Sequence, residues 1–89
     1  MPTISVEKLD ESTFDVTVEG TSVTTHRVTV QSSYADKLTG GRIPTDKLVE
    51  LSFKFLLERE SNTSILRRFD LPVIASYFPE YEQAIRKLI

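Results

Sequence analysis

The chain has no cysteine and a single histidine, His26. The first absence removes disulfides, thiolate nucleophiles and thiolate metal sites outright. The second removes multi-histidine and His–Cys arrangements. A zinc site would need three carboxylates converging on His26, and a Ser-His-Asp triad would need partners that no local motif marks. A large excess of either charge sign is absent too. Eleven Lys and Arg against thirteen Asp and Glu leave a net charge of −2, without the basic field of an electrostatically driven nucleic-acid binder. Apolar runs fall short of the roughly 18 residues of a membrane span. The opening MPTISVEKLDE has no charged segment ahead of an apolar one, so no signal peptide is expected and a cytoplasmic location follows by default. Asp10-Glu11 lacks the spaced oxygens of a calcium loop. Gly40-Gly41-Arg42 is not GxxxxGK[ST] and reads as a plain turn. The expectation is no enzyme, no cofactor and no metal.

What is present fits a folded protein. Eighty-nine residues, 39% hydrophobic and 27% charged, suit a single domain over residues 1–89 with one modest core, and not a disordered segment. Its organising stretch is LVELSFKFLL, residues 48–57. At about 100° per residue, Leu48, Val49, Leu51, Phe53, Phe55, Leu56 and Leu57 cover roughly 240° of a helical wheel. Only Lys47, Glu50, Lys54 and Glu58 form a polar stripe. A central helix over residues 45–60, capped by Thr45 after Pro44, therefore needs cover on two flanks.

The strands expected on one flank show period-two alternation. Ile4 and Val6 alternate with Thr and Ser over residues 3–9. Phe14, Val16 and Val18 face one way over residues 13–19. Val28 and Val30 do so over residues 22–31, with Thr24 and His26 on the same side. Asp10-Glu11-Ser12 joins the first pair, and Gly20-Thr21 suits a tight II′ turn for the second. The fold class predicted is α+β, a three-stranded antiparallel meander packed on the central helix. Its outer face is rich in Thr, at positions 3, 13, 17, 25 and 29, which reads as a solvated surface stabilised by cross-strand pairs. Ser33-Tyr34-Ala35-Asp36 can open a short helical turn with Ser33 as its cap, ending at Gly40-Gly41.

Three short helices are expected beyond the turn formers at Ser61-Asn62-Thr63. The first spans residues 63–69 and buries Ile65, Leu66 and Phe69. The second spans residues 71–77 with Pro72 in its first turn. The third spans residues 79–88, where Tyr81, Ala84, Ile85, Leu88 and Ile89 share one face. The first two superficially read as a helix-turn-helix, with Arg67 and Arg68 available to phosphates.

The wording SFKFLLERESNTSILRRFDLPVIASYFPEYE, residues 52–82, together with HRVTV and YADKLTGG, resembles a group of small bacterial proteins. The resemblance covers most of the chain and implies a stand-alone small domain, with no activity and no functional residue attached.

The function expected is a small interaction or regulatory module that binds a protein partner or a second copy of itself. Tyr77, Phe78 and Tyr81 form the candidate interaction surface, an aromatic patch around Pro79, and the sheet edges offer a second means of pairing. The competing reading is a weak nucleic-acid binder using Arg42, Arg67 and Arg68. His26, on the core face of the sheet, reads as a structural, hydrogen-bonded residue.

Overall fold

Strands form where apolar residues alternate. The computed structural model describes residues 3–20 and 22–89, and its first three strands are β1 (Thr3–Lys8), β2 (Thr13–Glu19) and β3 (Val23–Thr29). They pair antiparallel, with Val6 opposite Val16 and Phe14 opposite Val28. Phe14, Val16, Val18, Val28 and Val30 are fully buried on one face. The first turn is an Asx turn: the Asp10 carboxylate accepts from the Ser12 N–H at 2.9 Å and the Thr13 N–H at 2.8 Å. Those bonds, led by that from Ser12, hold the Asp10 carboxyl below its ordinary value. The second turn differs from the two-residue II′ form. Glu19 pairs with Val23, so three residues lie between the strands, and Gly20 does not adopt a positive φ. Thr21, the other half of the expected turn, lies outside the described residues.

The sheet has a fourth strand where a helix was expected. In place of a helix over residues 63–69 there is one 3₁₀ turn, Asn62–Ser64, then extended chain and β4 (Arg68–Asp70). β4 runs parallel to β3, with Arg27, Val28 and Thr29 opposite Arg68, Phe69 and Asp70. The antiparallel meander is thus one part of a mixed sheet ordered β1-β2-β3-β4. The reason is long-range. β3 has an open row of backbone groups, which the Arg67 carbonyl and the Leu71 N–H fill by bonding to the Arg27 N–H at 2.7 Å and the Thr29 carbonyl at 2.9 Å. Extended chain still buries Ile65, Phe69 and Leu71, so a helix would bury no more and would leave the β3 edge unpaired.

The helices lie over the apolar face. They are α1 (Ser32–Thr39), α2 (Thr45–Leu57), α3 (Val73–Tyr77) and α4 (Tyr81–Leu88). α1 starts at Gln31, without Ser33 as its cap, and ends at Gly40, whose φ of 64° and N–H bond to Asp36 form a left-handed stop. α2 has Pro44, and not Thr45, at its N-cap position, with no side-chain cap bond. It stops three residues early because the N–H groups of Arg59 and Glu60 converge on the Leu56 carbonyl. α3 and α4 each begin two residues later than expected, after Pro72 and Glu80.

α2 is covered on both flanks. Toward the sheet, Phe53 packs between His26 and Phe69, with ring centroids 5.4 and 6.1 Å away. On the other side, Phe55 meets Tyr81 and Phe78 edge-on at 5.3 and 5.9 Å. A polar link also joins α2 to α4. The Ser52 hydroxyl donates to the Leu48 carbonyl at 2.8 Å, which uses its one proton, so the Tyr81 hydroxyl is the donor in their 2.6 Å bond.

Burial pushes the Tyr81 phenol above its ordinary value, against the lowering effect of Ser52. Burial also raises Tyr34, which donates to Glu82 at 2.8 Å. A raised folded-state value means that the contribution is fully present below the unfolded phenol value, about 10, and is lost as pH rises beyond it. Denaturant unfolding should therefore show stability falling above about pH 10. Tyr81→Phe should lower stability at neutral pH by about 1 kcal/mol and fall less steeply in alkali than the parent. Parallel pH profiles would contradict the assignment.

Candidate functional site

Residues 62–67 reach β4 through a chain of part-buried polar groups. The Asn62 amide donates to the Ser22 carbonyl at 2.9 Å and to Thr24 Oγ1 at 3.0 Å. His26 Nε2 lies 2.9 Å from the same hydroxyl, and Nδ1 lies 2.8 Å from the Leu66 carbonyl. A carbonyl only accepts, so Nδ1 carries a proton and donates to Leu66. In the neutral ring Nε2 then accepts from Thr24, giving one directional chain from Asn62 through Thr24 and His26 to Leu66. His26 is 1% exposed, and among the described residues no buried side-chain polar atom lacks a partner. The histidine is thus a positioning group that ties the segment before β4 to the sheet.

That tether leaves an apolar groove of about 340 Å³ between the C-terminal end of α2, residues 64–66, β4 and α3. Leu56, Ile65, Phe69 and Ile74 form its buried base, and half-buried Val73 and Phe78 its wall. Leu66 and Tyr77 stand on the rim, 46% and 67% exposed. Glu60 and Ser64 are the polar residues of the lining. Burial of apolar area stabilises by about 25 cal/mol per Å², so a rim left wet beside a preformed hollow favours being covered.

Two of the three aromatic residues singled out in the sequence meet here. Tyr77 and Phe78 line the groove. Tyr81 does not: it is 0% exposed, with its ring against Phe55 and its hydroxyl on Ser52. It cannot touch a partner, because α4 turns it inward to close the second flank of α2. The arginines fare differently. Arg42 lies in the α1–α2 connection, whereas Arg67 immediately precedes β4 and Arg68 begins it, all three exposed. With residues 63–69 extended and α3 only five residues long, there is no helix-turn-helix to aim Arg67 and Arg68 at phosphates. The sequence reading missed Leu66, which it buried in a helix, and the free edge of β4. The one local signal was the polar-apolar-polar order of Arg68, Phe69 and Asp70, too short to outweigh the helical spacing of Ile65 and Phe69.

The outer sheet face is polar. Ser5, Thr17 and Thr25 lie side by side on adjacent strands, as do Glu7, Asp15, Arg27 and Arg68. Arg27 Nε bonds Asp15 Oδ1 at 3.0 Å. Among the described residues, Arg68 has no carboxylate within ion-pair distance. Among those residues there is no group of metal-binding side chains and no helix long and apolar enough to cross a membrane. No protein-family model, curated protein or solved structure matches the chain, so the resemblance carried by residues 52–82 has no matching model behind it.

Proposed function

We propose that the chain is a small protein-interaction module whose contact surface is the corner formed by β4, α3 and the end of α2. The observation that carries this reading is the pairing of two exposed apolar side chains, Leu66 and Tyr77, on the rim of one preformed apolar groove. Val23, Leu9 and Leu88 are exposed as well, but none of them lines it. Scattered apolar residues are ordinary on a surface, whereas a contiguous apolar hollow marks a place where something binds. Phe78 links the surface to the core, because it backs onto Phe55 of α2, so the groove wall is as firm as the helix behind it.

The test is a photo-crosslinking side chain placed at Tyr77 or, as a control, at Thr17 on the outer face of the sheet. Irradiation at native expression should trap another polypeptide from Tyr77 and little from Thr17. Equal trapping from both positions, or none from Tyr77, would end the proposal.

A further inference from the structure

Building on that reading of the corner, we propose that its occupant is a second copy of this chain, joined by antiparallel pairing of β4 with β4 about a two-fold axis at Phe69. In the parallel ladder with β3, residues 67 and 71 turn toward β3, as the bonds from Arg67 and Leu71 show. Backbone groups alternate along a strand, so Phe69 faces β3 as well, and Arg68 and Asp70 turn their N–H and C=O groups to the free edge. Among the described residues, no backbone hydrogen bond uses those groups.

Those two residues are complementary to their own copies. With Phe69 on the axis, Arg68 lies opposite Asp70 of the second copy, and Asp70 opposite Arg68 of the second copy. Each pair is of the hydrogen-bonded type, exchanging two backbone bonds, and each sets a cation beside an anion on the solvent face. Both side chains are exposed, and among the described residues neither makes an ion pair. Neighbouring registers fail on charge: an axis at Arg68 opposes two arginines, and one at Asp70 opposes two aspartates. Pro72, with no N–H, ends the ladder beyond this short match.

The other edge of the sheet is a poorer partner. The bond from the Leu9 N–H to the Thr13 carbonyl fixes the alternation in β1, so Ile4, Val6 and Lys8 turn their backbone groups outward. Their side chains belong to the core-facing set. An antiparallel joint between β1 and β4 would therefore invert one sheet, placing apolar side chains on the polar face. The β4 pair keeps both sheets the same way up. It sets the two Phe69 rings side by side on the helix side, so the two grooves meet and cover Leu66 and Tyr77. Such an interface is isologous and closes at two copies.

Sedimentation equilibrium tests it by charge exchange. The parent chain should be a dimer at micromolar concentration. Arg68→Asp and Asp70→Arg each create two like-charge oppositions and should each weaken the dimer by about tenfold or more. An equimolar mixture of the two variants should restore it, since the introduced aspartate then faces the introduced arginine. The double variant should pair with itself but not with the parent. Circular dichroism serves to show that these surface changes leave the fold intact. A parent chain monomeric at high micromolar concentration would overturn the proposal, as would single variants that dimerise normally or a mixture that stays monomeric. If such a monomer still crosslinks from Tyr77 to a different protein, the second copy is excluded while the interaction corner stands. Without any crosslink, both fall.

Discussion

Replacing Phe55 with alanine should lower the unfolding free energy by about 3–5 kcal/mol, the usual cost of emptying a buried phenylalanine site. The ring is 3% exposed, and three groups lean on it. Tyr81 and Phe78 meet it edge-on, while the Arg59 guanidinium sits 3.6 Å from its centroid and donates to the Phe55 carbonyl at 3.1 Å. Truncation loses the transfer energy of the ring and leaves a hollow. Tyr81 cannot move to fill it without giving up its bond to Ser52. Small domains have only about 5–15 kcal/mol to lose, so the urea midpoint should drop sharply. Leu88→Ala, at an exposed position of α4, should change it by no more than about 0.5 kcal/mol. Equal effects at the two positions would mean that α2 is not covered on its second flank. The loss at Phe55 should also reach the groove, because Phe78 would have nothing behind it.

His26→Phe is the second large effect, about 2–4 kcal/mol, short of the full penalty for two stranded polar groups because both bonds are only part-buried, and its cause is different. The new ring keeps a similar shape against Phe53, so packing changes little. What disappears is the donor for the Leu66 carbonyl and the acceptor for the Thr24 hydroxyl, two part-buried bonds. Leaving a buried polar group unpaired costs about 1–3 kcal/mol each. The damage should be local before it is global. Residues 62–67 lose their tie to the sheet, so the N–H groups of Arg27 and Leu71, which hold β4 to β3, should exchange with solvent faster than those between β1 and β2. The same variant should weaken the dimer although His26, 1% exposed, is itself out of reach of a second copy. Uniform acceleration across the sheet would show that His26 supports the core in general and not β4 in particular.

How much of this was legible beforehand varies by element. The face assignments of β1, β2 and β3 could be read directly, because an alternating apolar row points one way whatever it later packs against. The over-wide apolar arc of residues 48–57 likewise demanded two covers, and α2 has them. Within the last third of the chain, Ile65 and Phe69 have helical spacing, yet that segment is extended; a short apolar run satisfies either period. Tyr81 was correctly placed on the apolar face of α4 but also proposed as a surface residue. Which of those readings held depended on Ser52 and Phe55, more than twenty residues away.

Local pattern was thus enough for the inward faces of three strands, for the central helix with its need of cover, and for His26 on the core side. The fourth strand, the groove beside it and the burial of Tyr81 followed only from contacts between distant segments. The division has a physical cause. Side-chain direction is set by local backbone geometry, so periodicity reveals it. The partner of a backbone or ring nitrogen is whatever the fold brings near, as the Leu66 carbonyl is brought to His26 across forty positions of chain.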